Sequence, residues 1–192
     1  MTLRLPKAEL PPELADAMIT QLGAVPESVE VMWNSPPVAE DNVGFGARVG
    51  AWDDAPADLK SYAHMAVAAQ VGCSWCLDVG YFQAQNEHLD LAKASQVPRW
   101  RDADVFTDLE RDVMGYAEAM TETPPTVTDE MYGHLLAQLG PAAMAELTAY
   151  VGFANCASRA NVANGVESQG FSAACEVPLA EPAGTAGIGS TA

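Results

Sequence analysis

Apolar residues in this 192-residue chain recur three and four positions apart almost everywhere, and that spacing is the strongest constraint on its fold. Alternating β-branched runs bounded by turn residues are missing, so the sequence offers no strand. The punctuation agrees. Pro12 opens "PPELADAMITQLG" and Gly23 closes it; Pro26 opens "PESVEVMWNSP", which stops before Pro36. "VAEDNVGFGARVGAW" has helical spacing but carries three glycines, each unfavourable inside a helix. "ADLKSYAHMAVAAQVG" reads as a helix with Leu59, Tyr62, Ala63, Ala66, Val67 and Gln70 on one face, ended by Gly72. A further helix is expected over "CSWCLDVGYFQAQNEHLDLAKA", residues 73–94.

Two caps are legible downstream. Thr107 and Glu110 have the spacing of a capping box ahead of the stripe Leu109, Val113, Tyr116, Ala117 and Met120, which ends at Pro124–Pro125. Thr128 caps "DEMYGHLLAQLG", Gly140 stops it, and Pro141 opens the longest helix, rich in Ala and Gly. After about Ser172 the periodicity fades into Pro, Gly and Ala, which reads as a disordered tail with Cys175 at its edge.

Composition narrows the function classes. Apolar residues make up 49%, enough for one core, and no apolar run is long enough to span a bilayer. The N-terminal stretch lacks a secretory apolar region, so a cytoplasmic protein is expected. A net charge of −17, with only nine Lys and Arg, repels nucleic acid and anionic membrane, so neither is expected as a partner.

Against that background, "VGCSWCLDVG" carries chemistry. In a reducing compartment a Cys-x-x-Cys pair is a redox pair or part of a metal site more often than a structural disulfide. A zinc site would need two further ligands recruited singly from His64, His88 or Cys156, with no second Cys-x-x-Cys to supply them. A pair of inert buried thiols is the other alternative. Helix spacing puts Cys73, Cys76 and Gly80 on one face. If Gly72 breaks the chain there, Cys73 stands at a helix N-terminus, where the dipole favours thiolate. Trp75 is expected to pack in the core or an interface. Asn155 and Arg159 are expected to hydrogen-bond between helices.

The segments "VAAQVGCSWC", "FQAQ", "FTDLERDVMGYAEAM" and "LTAYVGFANCASRANVA" together resemble the carboxymuconolactone decarboxylase superfamily, and within it the alkylhydroperoxidase D-like branch. The resemblance runs from about Val25 to Gly170. It implies an all-α, alkylhydroperoxidase D-like helical fold, one domain that oligomerises as a trimer or hexamer. Residues 25–172 would form the domain, 1–24 a helical extension and 173–192 the tail. It implies a thiol-dependent peroxidase or disulfide oxidoreductase of peroxiredoxin-like, antioxidant type. Its substrate would be a small hydroperoxide or disulfide, its recycling agent an external dithiol, and it would need no metal or organic cofactor. It further implies that Cys76 attacks and Cys73 closes the disulfide, the reverse of the dipole ranking; both assignments stay open on the sequence.

The chain departs from that branch at two places. A Glu and a His that relay protons there are replaced by Ser61 and Gly80. The candidate substitutes are His64, His88 and His134. Two other functions stand behind the oxidoreductase: a decarboxylating lyase of the same superfamily, and a helical scaffold without catalysis. Scarcity of basic residues argues against the first, and the retained cysteine pair against the second.

Overall fold

The computed structural model describes residues 3–182, and among these every regular element is helical. The chain runs through α1 (Pro12–Leu22), α2 (Glu27–Met32), α3 (Pro36–Gly50), α4 (Ala57–Val71), α5 (Ser74–Asn86), α6 (Leu91–Ala94), α7 (Asp108–Thr121) and α8 (Asp129–Asn164). A 3-10 segment kinked at Arg99 covers Val97–Asp102, and a single 3-10 turn covers Phe171–Ala174. The caps work as the sequence suggests. Thr107 and Glu110 form a reciprocal capping box, and the Thr128 side chain accepts the Met131 amide. Gly140 leaves helical geometry and breaks α8 into two arms, the second opening at Pro141.

Helix α4 is the hub, packed by α5, α7 and α8. That position explains its burial pattern. Leu59, Tyr62, Ala63 and Ala66 are buried as expected, but so are Met65 and Ala68 on other faces. A helix enclosed on three sides cannot keep a polar face. Gln70 is the exception to the expected stripe: it is exposed and donates to Glu122. The buried Lys60 on α4 is paired at 2.7 Å with the buried Glu146 on α8 and also donates to the Trp52 carbonyl.

The glycine-rich segment is a full helix, α3, as its spacing allowed, and a Cβ at Gly46 would meet the Phe153 ring of α8 at 3.4 Å. One expectation is corrected: the single helix expected over 73–94 is two. Helix α5 ends at Asn86, His88 turns left-handed (φ 58°), and the Asp90 side chain caps α6 on the Ala92 and Lys93 amides. The tail read over 173–192 lies partly at 183–192, outside the described residues. In its described part, Tyr81 Oη donates to the Val177 carbonyl and the Ala180 amide donates to Ser95. Asn155 and Arg159 do bridge helices, both donating to Thr121 on α7.

Candidate dithiol site

Local turn chemistry places the cysteines. Gly72 takes a left-handed conformation (φ 77°) that only glycine adopts cheaply, and α4 ends there. The chain reverses into α5 with Cys73 as its N-cap. Cys73 Sγ accepts the Cys76 amide at 3.2 Å, the place a serine or aspartate oxygen usually takes. Cys76 follows one turn inside the helix. Both thiols are free and about 1% exposed.

The second arm of α8 completes the setting. Asn161 Nδ2 donates to Cys76 Sγ at 3.3 Å. The Ser158 hydroxyl is fully buried and has no other hydrogen-bond partner. The bond from Cys73 stabilises the Cys76 thiolate most; burial opposes it, and Ser158 and Asn161 add to it. The Cys76 pKa is lowered to about 7. Cys73 moves the other way: its hydrogen bond to Cys76 and its burial both hold the proton on. This reverses the ranking from the helix dipole. Side-chain donors converge on Cys76, whereas Cys73 spends its position at the helix end accepting a single amide.

The outer side of α5 is tied down by a strap, residues 166–172. Asp78 Oδ2 accepts the Ser168 hydroxyl and the Gly170 and Phe171 amides; Oδ1 accepts the amide and hydroxyl of Ser172. Burial pushes the Asp78 carboxyl up, but these donors outweigh it and hold it below its usual range. Trp75 is half-buried, donating to Gln169 and lying edge-on to Phe171.

On the inner side, a cavity of about 400 Å³ opens between α4, α5 and α8. Ser61, His64, Gly80 and Tyr150 are among the residues that line it, so the structure gathers both departures from the expected relay in one place. His64 Nε2 lies 3.3 Å from the Cys76 carbonyl. His88 is exposed in the turn after α5. His134 is 62% exposed on α8 against Asp112. Of the three candidate histidines, only His64 reaches the cysteine helix. Among the described residues no group of three His, Cys, Asp or Glu side chains is arranged to hold a metal, and no helix is long and apolar enough to cross a membrane.

Ser158 and Asn161 were not singled out from the sequence. Their signal was present: Val151, Ala154, Ser158 and Asn161 follow the three-four spacing of one buried stripe, so two polar residues occupy core positions.

The helical fold that carries this dithiol is one that solved proteins share. A cysteine-to-alanine variant of the debrominase Bmp8, solved with 2,3,4-tribromopyrrole, superposes with a TM-score of 0.78 at 20% identity, over 89% of this chain and 94% of that one. A peroxidase-related protein from Silicibacter sp. TM1040 gives 0.70 at 18% identity, over 85% and 88%. A protein from Agrobacterium tumefaciens whose name attaches it to AhpD antioxidant defence gives 0.64 at 18% identity, over 70% and 92%. The fold is therefore the alkylhydroperoxidase D-like helical fold, as the sequence resemblance implied. In sequence, the uncharacterized protein YnjA of Escherichia coli (strain K12) is 32% identical over 120 residues, 62% of this chain and 64% of that protein. The chain thus matches just under two thirds of that relative's length. No protein-family profile matches the chain.

Proposed function

We propose that this protein is a dithiol oxidoreductase that reduces a small hydroperoxide or disulfide. Cys76 attacks, Cys73 closes the disulfide, and an external dithiol restores the pair in a reducing, cytoplasmic setting. The observation that carries the reading is the setting of the Cys76 sulfur: Asn161 Nδ2 donates to it, the neighbouring Cys73 side chain favours its charged form, and its pKa of about 7 leaves much of it thiolate at neutral pH. With a hydroperoxide, the thiolate takes the distal oxygen and the O–O bond breaks, giving a sulfenic acid and an alcohol. The Cys73 thiol then displaces water to form the disulfide. Assembly into a homotrimer or homohexamer would use the exposed small residues Ala142, Ala145, Ala149 and Gly152 along α8.

The test is thiol titration and intact mass after reduced protein meets an organic hydroperoxide. The expected product has lost two hydrogens, mapped to Cys73–Cys76; unchanged thiols would remove the reading. The Bmp8 superposition supports a second use of the same pair, reductive dehalogenation. There an aryl bromide and the dithiol give the arene, bromide, a proton and the disulfide, and bromide release from 2,3,4-tribromopyrrole is its assay. A lyase acting on an anion is less well supported, because Lys60 beside the cavity is already bound to Glu146 and Trp52.

A further inference from the structure

The cavity between α4, α5 and α8 carries an imbalance of charge that the thiol reaction does not use. Its volume of about 400 Å³ has room for a small organic molecule, and it opens to solvent past Gln83 and Glu87, both exposed. Neither cysteine lines it. Gly80 does, but the space that glycine leaves is taken by its neighbours on α4: a Cβ there would lie 3.0 Å from His64 Cδ2 and 3.2 Å from Met65 Cγ.

The lining cation, Lys60, is spent. It is matched by Glu146 at 2.7 Å and donates to the Trp52 carbonyl. Glu87 is left over: its carboxylate has no hydrogen-bond or ion-pair partner among the described residues. Burial holds the His64 ring below its ordinary pKa, with the Cys76 carbonyl pulling the other way, so the ring adds no positive charge at neutral pH. The backbone deepens the imbalance. Glu87 is the C-cap of α5, and no basic residue stands in the last turn of that helix, so the negative end of its dipole lies beside the cavity.

The walls suit a positive charge. Trp52 and Tyr150 both line the cavity, and Lys60 Nζ already sits 5.8 Å from the Tyr150 ring centroid, within the usual range of a cation–π contact. The Tyr150 hydroxyl is pushed up to about 12, first by burial and then by the charges of Glu87 and Glu146, so the potential at that wall is negative. Trp52 is also shared with a neighbouring recess bordered by Asp53, Asp54 and Glu146, which makes the approach acidic. In a chain of net charge −17, an opening of this kind draws cations and repels anions.

We propose that this cavity is a binding site for a small organic ammonium ion, packed against Trp52 and Tyr150 and neutralised by the Glu87 carboxylate. The ligand is held at the C-terminal turn of α5, the helix whose first turn carries the dithiol. A neutral molecule of the same shape gains the aromatic walls and leaves Glu87 unpaired. An anion meets Glu87 directly. Affinity therefore ranks cation over neutral over anion.

Benzylammonium, benzyl alcohol and benzoate are close to one shape and differ in charge, so they are the probes. The chain has four tryptophans, and the Trp52 indole N–H is identified in two-dimensional NMR spectra by its loss in Trp52→Phe. Benzylammonium should shift the Trp52 signal to saturation. Benzyl alcohol should bind at least about tenfold more weakly, and benzoate more weakly still. Glu87 is exposed and unpaired, so Glu87→Gln should leave the fold alone. In that variant benzylammonium should weaken about tenfold, with benzyl alcohol within about twofold of its wild-type affinity.

Equal affinity for the amine and the alcohol overturns the ligand class. Benzylammonium affinity unaltered in Glu87→Gln overturns the role of Glu87 and assigns the attraction to the acidic surface at large. A Trp52 signal that does not respond to benzylammonium, or that moves without saturating, removes the site.

Discussion

Asn161 Nδ2 donates to Cys76 Sγ at 3.3 Å, joining the last turn of α8 to the first turn of α5 across 85 positions of sequence. The donor favours the charged form of the sulfur, so removing it must raise the Cys76 pKa from about 7. Asn161→Leu should move the midpoint of the alkylation-rate profile up by about one pH unit, the size of one charge-assisted hydrogen bond. Ser158→Ala should move it the same way. In the wild type, the rate should fall about tenfold per unit below that midpoint and level off above it. A midpoint unmoved in both variants would mean that these residues do not hold the thiolate.

The two cysteines should fail in different ways. Cys76→Ser should show no hydroperoxide-dependent loss of thiol at position 73, because the burial and bonding of Cys73 keep its proton in place. Cys73→Ser should still react but stop at a sulfenic acid on Cys76, trapped by dimedone as a single adduct by intact mass. The opposite pattern would hand the attack to Cys73 and restore the ranking that the helix dipole suggests.

How much of this was legible follows from the range of each interaction. Local signals survived: the Thr107–Glu110 box and the stop at Gly72 involve residues a few positions apart, and both are present. The end of α5 was hidden because His88 carries a left-handed conformation more usual for glycine or asparagine. Burial around α4 was underestimated because periodicity shows one apolar face, not how many neighbours enclose it. The cysteine pair announced itself by spacing. What surrounds it, Asn161 from 85 positions away and the room Gly80 leaves for His64, depends on tertiary packing that no local pattern encodes. The two relay departures looked like a loss in the sequence. Folded, one of them is the space that a histidine from another helix fills.

Asp78 anchors the strap with both carboxylate oxygens, so Asp78→Ala should free residues 166–172. Five donors lose their acceptor, and the expected loss of stability is about 3 kcal/mol, with Asp78→Asn intermediate. The carboxyl pKa is lowered in the folded protein. Its contribution is therefore present above the ordinary value near about 3.9 and is lost as pH falls through the folded value. Limited proteolysis at the strap should be absent near neutrality, appear in strong acid, and occur already at pH 7 in Asp78→Ala. A strap equally protected in the variant would show that Trp75 and Gln169 suffice to hold it.

The pair Lys60–Glu146 ties the hub helix to α8 at the cavity's edge, with both side chains buried and the Asp54 amide also donating to Glu146 at 2.6 Å. Burial pushes the Glu146 carboxyl up, but Lys60 and the Asp54 amide overcome it, and its pKa is lowered. Removing one partner strands the other charge in the interior, so Glu146→Leu should cost about 3 kcal/mol or more in chemical denaturation. The double variant Lys60→Met with Glu146→Leu should recover most of that loss, because a buried ion pair replaced by apolar groups of similar volume is close to neutral. The double variant should also leave the hydroperoxide reaction of Cys76 intact, since neither residue touches its sulfur. If the double variant is no more stable than Glu146→Leu alone, the pair's role lies in its bonds to the Trp52 and Asp54 backbone, which shape the cavity mouth, and not in charge neutralisation.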